Sequence, residues 1–124
     1  MKISLTTLLF NQIRSDVKDD LEALFLYGAV GTDNTTPTAA DTTLGGEVFR
    51  SDVDEVDKSG ASTAVFSLRI AASEANGNDL KETGWLDAAS SGNLWLRSLV
   101  NTITKTSDIQ VFLDSTITVV VTET

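Results

Sequence analysis

The side chains that most often perform chemistry in proteins are missing from this sequence. Its 124 residues include no cysteine and no histidine. The chain therefore has no thiol nucleophile, no disulfide and no zinc–thiolate site, and it lacks the imidazole that is the usual general base and metal ligand. A Ser-His-Asp triad is excluded for the same reason. Carboxylates are the groups left for acid–base or metal chemistry.

One pair of carboxylates has a spacing that suggests acid–base catalysis. Glu82 and Asp87 lie close together in the sequence, and two carboxylates aimed into one cleft divide the roles of acid and base when one of them is desolvated. Nothing in the sequence makes the two side chains converge, and Glu82 alternates with Leu80 and Leu86 along a strand-like run. We therefore predict no catalytic residue, no cofactor and a protein that is not an enzyme.

A denser acidic cluster suggests a calcium site. It comprises Asp52, Asp54, Glu55 and Asp57, and clustered carboxylates are ligands that Ca²⁺ prefers. The spacing departs from an EF-hand loop, which has glycine at its sixth position and glutamate at its twelfth. On an extended strand the side chains also divide between two faces. We predict a solvated strand end that runs into a turn at residues 59–60, and no metal site.

Two tryptophans bracket a turn at residues 90–93. Trp85 and Trp95 are both out of phase with the leucines beside them, so each lies on the opposite strand face from those leucines. Exposed tryptophans anchor protein interfaces or stack on sugars. Packing on the second face of a sandwich, or against the N-terminal helix, is the alternative. We take both as candidate interface residues and leave the packing alternative open.

An amphipathic helix is predicted near the N-terminus, over about residues 5–22. Its apolar stripe recurs every four residues, which is a helical spacing. The stripe comprises Leu5, Leu9, Ile13, Val17 and Leu21. The opposite face is polar and carries Asp16, Asp19 and Asp20. Because the stripe is long for a helix that only caps a sandwich, we predict that it contacts a neighbouring subunit as well as its own sheet.

From Glu47 onward the sequence has the pattern of β-strands. Residues 64–71 alternate between apolar and polar side chains, with Phe66, Leu68 and Ile70 on one face. Further strand-like runs follow, separated by turn residues, as in an antiparallel sandwich or small barrel. No helix-length segment alternates with them, which argues against a parallel α/β sheet.

The predicted fold is a single domain over residues 1–124 that is mainly β. It consists of an N-terminal α-helix within residues 1–24 and an antiparallel, jelly-roll-like β-sandwich over residues 25–124. Strand alternation also predicts which side chains form the core. They are Phe66, Leu68, Ile70, Ile109, Val111, Ile117 and Val119.

The charge balance excludes two classes of partner. Nine basic and eighteen acidic residues give a formal net charge of −9, so the chain lacks a basic footprint for nucleic-acid phosphates or an anionic membrane surface. The longest apolar stretch, residues 23–30, is too short to cross a bilayer. No signal-peptide cleavage pattern follows the first ten residues. We predict no nucleic-acid partner and no membrane partner.

Two segments of the chain resemble a known family. Residues 84–94, GWLDAASSGNL, resemble the signature G-L-F-D-A-A-S-G-G-x-L, and residues 30–48, VGTDNTTPTAADTTLGGEV, are similar to the pattern V-G-x-G-x-T-x-P-x-x-x-D-x-x-L-G-x-E-V. Both patterns occur, in the same order, in small virion proteins of tailed bacteriophages and archaeal tailed viruses. Arg97 and Lys105 follow the second block as they do in that family. The sequence departs from the patterns at Trp85 and at two glycine positions, which are Asp33 and Ser91 here.

The resemblance implies a non-enzymatic building block of a virus particle, located in the virion as a capsid, turret, neck or tail/fibre component. It transfers no catalytic residue. The expected partners are further copies of the chain, with a trimer or pentamer favoured, and other virion proteins. The alternative function is a module that binds a glycan or protein receptor on the host surface.

Overall fold

The computed structural model describes residues 4–122, which form one helix and seven strands. In chain order these are α1 (Thr7–Leu24), β1 (Tyr27–Gly31), β2 (Glu47–Asp52), β3 (Glu55–Asp57), β4 (Thr63–Ile70), β5 (Asn78–Leu86), β6 (Leu94–Lys105) and β7 (Val111–Thr118). A four-stranded sheet has the order β2-β1-β5-β6, and a three-stranded sheet has the order β3-β4-β7. All pairings are antiparallel. The predicted mainly β antiparallel sandwich with an N-terminal helix is confirmed.

The main core lies between the two sheets. As predicted, Phe66, Leu68 and Ile70 of β4 are fully buried in it. They alternate with the half-exposed or exposed side chains of the outer face, so β4 has the two-residue period of a strand that is buried on one side. Val111 of β7 is buried with them, and Ile117 packs against the core as a partly buried side chain.

Trp85 is also a core residue, and its prediction as an interface residue is wrong. It is 1% exposed and packs against the rings of Phe25 and Phe66, with ring centroids 6.2 Å and 5.8 Å away. Its indole N–H donates a 3.0 Å hydrogen bond to the hydroxyl of Ser115 on the opposite sheet. A buried indole needs such a partner, so this bond ties β5 to β7 through the core.

The last strand is shorter than the sequence pattern indicates. Ile109 precedes β7 and is 39% exposed, so its prediction as a core residue is wrong. A turn follows β6, in which the N–H of Ile109 donates to the Thr106 carbonyl. The alternating run that the sequence shows from Ile109 therefore enters a strand only at Val111. Val119 is partly buried beyond the end of β7.

A bulge between β5 and β6 divides β5 between two faces. Leu80 pairs with Ile103 and Glu82 pairs with Leu99, so β6 contributes two more residues than β5 across this step. Leu80 lies in the main core, whereas Glu82 faces a loop on the outside of the four-stranded sheet. Alternation alone places Leu80 and Glu82 on one face, and the bulge is the reason that this prediction is wrong.

The C-terminal half of α1 is held against the β3–β4 turn by lysines. The buried ammonium group of Lys18 donates to the carbonyl oxygens of Lys58 and Gly60, at 3.0 Å and 2.8 Å. Lys58 in turn forms ion pairs with Asp19 and Glu22. Hydrogen bonds to these two carboxylates raise the pKa of Lys58 above its ordinary value. Part of the acidic face of α1 therefore meets a basic side chain of its own subunit.

The apolar stripe of α1 is only partly used within the subunit. Thr6 caps the helix by accepting a hydrogen bond from the N–H of Leu9. Leu21 packs against the main core, while Leu9 is 42% exposed and Leu5, Ile13 and Val17 are partly buried. The contact of the stripe with a neighbouring subunit stays a prediction. Across the described residues, no helix is long and apolar enough to span a membrane.

The burial of Leu68 gives a direct test of the core. Leu68→Ala should lower the free energy of unfolding by about 2–5 kcal/mol, because it removes a fully buried side chain and leaves a cavity. Urea unfolding followed by circular dichroism measures this loss. Val65→Ala, on the outer face of the same strand, is the matched control and should cost clearly less. Equal losses in the two variants would contradict the described orientation of β4.

Candidate functional site

A long loop folds back over the outer face of the four-stranded sheet. It comprises residues 32–46 between β1 and β2, and we call it the covering loop. Its Leu44 is buried in a second apolar cluster with Ala29 and Leu86, against which Leu94 packs. The four-stranded sheet therefore packs against apolar side chains on both of its faces in this region. An antiparallel sheet more commonly has one face on the core and the other in solvent.

Glu82 anchors the covering loop at both ends. Its side chain is fully buried, and its two carboxylate oxygens accept hydrogen bonds from the backbone N–H groups of Asp33 (2.8 Å), Gly45 (2.7 Å) and Gly46 (3.2 Å). A fourth donor is Nε of Arg97, at 3.3 Å. A buried carboxylate is tolerated only when its oxygens are satisfied in this way. Glu82 thus clamps the start and the end of the loop to β5.

Close backbone contact makes this clamp possible. The N–H of Thr32 donates to the carbonyl of Gly46 at 3.0 Å, so the two ends of the loop meet directly. A Cβ atom on Gly31 would lie 2.6 Å from that same carbonyl oxygen. Position 31 requires glycine, because the backbone of Gly46 occupies the space that a side chain would need and cannot move aside.

Arg97 is the second anchor, and it faces three carboxylates. Its side chain is 4% exposed and pairs with Glu82 at 3.3 Å, Asp41 at 3.1 Å and Asp33 at 4.0 Å. Burial by itself lowers the pKa of Arg97, but hydrogen bonds to Glu82 and Asp41 outweigh this effect and raise the pKa. The guanidinium thus joins β6 to the middle of the covering loop, where Asp41 lies.

Both aspartates of the covering loop are held in the ionised form by local donors. Hydroxyl and backbone N–H hydrogen bonds from Thr35 lower the pKa of Asp33, and the Arg97 charge adds to this effect. The backbone N–H of Thr38, followed by its hydroxyl and by Arg97, lowers the pKa of Asp41. The turn at residues 38–41 is therefore closed by the carboxylate of Asp41, which accepts from the backbone N–H and the hydroxyl of Thr38.

Asp87 organises the β5–β6 turn beside the covering loop. It accepts hydrogen bonds from the backbone and the side-chain amide of Asn93, which lower its pKa, and from the indole N–H of Trp95 at 3.2 Å. Ser91 and Gly92 have φ values of 53° and 78° and reverse the chain. This arrangement confirms the predicted turn at residues 90–93 and fixes the position of one end of the Trp95 ring.

Trp95 remains an accessible candidate interface residue. It is 46% exposed and lines two grooves, of about 130 Å³ and about 270 Å³, that also include Asp41 of the covering loop. Because Asp87 holds its indole nitrogen, the ring presents a fixed apolar surface between polar groups. The two tryptophans that bracket the turn therefore have different roles, one in the core and one on the surface.

The carboxylates that suggested chemistry have structural roles. Glu82 clamps the covering loop and Asp87 organises the hairpin turn, each with its own set of donors. Asp57 accepts hydrogen bonds from Ser59 in the predicted turn after β3. Within residues 4–122, no group of three or more acidic side chains is arranged to hold a metal ion.

The anchoring role of Arg97 was missed by sequence reasoning, although a signal for it exists. Arg97 is the one charged residue between Leu94 and Thr104 of β6, whereas Glu82 of β5 directly follows Lys81 and is not distinguished by its neighbours in the sequence. Opposite charges on adjacent strands satisfy each other when buried. The strand order, which the sequence does not contain, is needed to recognise the pair.

We predict that Glu82→Gln releases the covering loop. The amide nitrogen would confront N–H donors and leave Arg97 without its closest buried partner, so the free energy of unfolding should fall by about 3–5 kcal/mol. Hydrogen exchange of the Gly45 and Gly46 amides should accelerate. Glu55→Gln, which removes an exposed carboxylate, is the control and should change neither quantity. Unchanged amide protection in Glu82→Gln would contradict the clamp.

The same cluster predicts a loss of stability in acid. The folded pKa of Asp41 lies below its ordinary value of 3.8, so its contribution is present above that pH and is lost as the pH falls through the folded pKa. Asp41→Asn should therefore be less stable than the parent at pH 7, and the difference should shrink below about pH 4. Chemical unfolding from pH 7 to pH 2 measures this. Asp108→Asn, at an exposed turn, should show no such convergence.

Comparison with known proteins leaves the geometry as the basis for assigning a function. No protein-family model matches the chain, and no curated protein is significantly similar to it. The features that a function must account for are therefore the covering loop, its anchors Glu82 and Arg97, and the exposed ring of Trp95.

Proposed function

We propose that this protein is a non-enzymatic, homo-oligomeric structural component of a tailed virus particle, as a capsid, turret, neck or tail/fibre building block. The observation that carries the proposal is the contact between the two segments that resemble virion proteins. Residues 30–48 contain the covering loop, and residues 84–94 contain the end of β5 and the following turn. The two segments are far apart in the sequence and lie against each other in the structure.

Packing contacts join these segments, and hydrogen bonds from Arg50, just outside the first segment, reinforce them. Leu44 packs against Leu86 and Leu94 in the second apolar cluster. A Cβ atom on Gly84 would lie 2.8 Å from the Leu44 side chain, so this glycine makes room for the loop. Arg50, just beyond the first segment, donates to the carbonyl oxygens of Ala88 and Ser91 in the second. The residues that define the resemblance therefore act as a single structural unit.

The charged groups of this unit support a structural role. The carboxylates of Asp33, Asp41, Glu82 and Asp87 all accept hydrogen bonds from groups of the same chain. A general acid or base must instead be able to reach a substrate proton. A surface rigidified by internal ion pairs suits a protein that presents a constant shape to its neighbours, here further copies of the chain and other virion proteins.

Purified particles provide the test of this proposal. Mass spectrometry of particles of the virus that encodes the chain should detect it at many copies per particle. A density map of the particle should accommodate the sandwich at a symmetric position. If the protein is absent from purified particles but abundant in infected cells, the proposal is overturned.

A second candidate function is recognition of a glycan or protein on the host surface, and Trp95 favours it. An exposed aromatic ring held by a hydrogen bond and flanked by polar grooves is suited to stacking on a sugar or anchoring a partner. Thr38, Thr42 and Asn93 line the grooves beside the ring and offer hydroxyl and amide groups for hydrogen bonds.

Tryptophan fluorescence tests this second function. Oligosaccharides released from the host envelope should quench the emission of Trp85→Phe, in which Trp95 is the remaining tryptophan, and should leave the emission of Trp95→Ala unchanged. Quenching of equal extent in both variants, or in neither, would show that the Trp95 surface does not bind sugars.

A further inference from the structure

The two long sides of the sandwich are built differently. On the side of β2 and β3, the chain passes directly from one sheet to the other. The N–H of Val53 donates to the Leu26 carbonyl at 3.0 Å, and the N–H of Asp54 donates to the Ser67 carbonyl at 2.8 Å. Residues 53 and 54 alone separate the two strands at this corner, and β2 and β3 are the last strands of their sheets. On the opposite side, which we call the open side, β6 and β7 are the last strands, and residues 106–110 join them at one end.

A cleft of about 410 Å³ separates β6 from β7 on the open side. Leu96 of β6 and Leu113 and Ile117 of β7 line it, and these same side chains pack against the main core. The cleft therefore gives access to the edge of the core between the two sheets.

The edges of the open side carry no proline and no outward basic residue, which are two of the devices that block a free strand edge. The one proline of the chain lies in the covering loop, and the two basic residues of β6 point into the subunit. Arg97 is buried among carboxylates, and Lys105 is fully buried and donates to three oxygens, on Ala72, Asn76 and Thr106.

Backbone groups for pairing are available on both edges. β7 keeps an unbroken register with β4 along all eight of its residues, so its outer edge is regular. β6 is regular from Leu96 to Leu99, between its two register shifts against β5. Along the described chain, neither strand has a further strand beside it. Each edge therefore offers a row of N–H and C=O groups to an incoming strand.

Charge indicates what covers the open side. β2 and β3 carry four acidic residues, which are Glu47, Asp52, Glu55 and Asp57, whereas β6 has none and β7 has Asp114 alone. Two copies that each carry a net charge of −9 repel each other least when they meet through the surface with the fewest acidic groups. A strongly basic partner would gain little at such an uncharged surface.

We propose that the open side is an interface with a second copy of this chain, in which the free edges of β6 and β7 pair with the edges of the second copy across a two-fold axis. The proposal rests on the homo-oligomer part of the proposed function. At about 3.3 Å per residue, the edge of β6 is about 40 Å long and the edge of β7 about 26 Å, and packed sheets lie about 10 Å apart. Pairing along these edges continues both sheets into the second copy.

A two-fold contact of this kind makes the copy number even. This departs from the trimer or pentamer that the resemblance favours, in which each copy meets its neighbour through two different surfaces. When the open sides of two copies meet, their two clefts also face each other. The apolar residues that line the clefts are then covered by the same contact.

Charged substitutions on the open side provide the test. Leu99→Lys on β6 and Thr116→Lys on β7 change exposed side chains and place like charges opposite each other across the proposed axis. Thr36→Lys adds the same charge to the exposed covering loop and is the matched control. Molar mass is measured by light scattering after size-exclusion chromatography, and folding by circular dichroism and thermal unfolding.

We expect the parent and the control to have an even copy number. Each open-side variant should have at most half of the parent mass, with an unchanged circular dichroism spectrum. Hydrogen exchange of β6 and β7 amides should accelerate at the same time.

If the parent oligomer survives both open-side substitutions, another surface such as the α1 stripe holds the copies together and the proposal is overturned. A parent trimer or pentamer overturns the two-fold contact and leaves the proposed function intact, whereas a monomeric parent overturns this proposal and the homo-oligomer part of that function.

Discussion

The buried carboxylate of Glu82 is the constraint from which the rest of this structure follows. Removing a carboxylate from water is costly, and the cost is offset here by four donors from three separate parts of the chain. Three of the donors are backbone N–H groups at the two ends of the covering loop, so the loop must leave and rejoin the sheet beside β5. The fourth belongs to Arg97, whose own burial then draws Asp41 and the middle of the loop toward β6.

The bulge between β5 and β6 allows β5 to contribute side chains to both the main core and the second apolar cluster. It leaves Leu80 in the main core and turns Glu82 outward, where the covering loop supplies the apolar contact of Leu44 and the polar contacts of its amides. Without that change of face, the carboxylate would point between the two sheets, into the apolar main core. The second apolar cluster and the ion-pair cluster are therefore consequences of the same local irregularity in strand pairing.

The burial of basic side chains also links the anchors of the covering loop to the outer surface of the molecule. Arg97 and Lys105 are the two basic residues of β6, and both satisfy acceptors inside their own subunit. The outward edge of β6 is left uncharged as a result, in a chain whose remaining surface is strongly acidic. The residues that anchor the covering loop therefore also leave this edge uncharged, which links the proposed structural role to the proposed mode of assembly.

Local pattern determined much of this protein, and pairing between distant segments determined the rest. Alternation identified Phe66, Leu68 and Ile70 as one buried face, and the four-residue spacing identified α1, because both signals repeat within a single element. Alternation misassigned Ile109, which lies in the turn before β7, and it placed Leu80 on one face with Glu82, from which the bulge separates it. The missing cysteine and histidine limited the available chemistry from the outset. The anchoring of the covering loop by Glu82 and Arg97, the burial of Trp85 and the open side depend on which strands become neighbours, and a one-dimensional pattern does not contain that information.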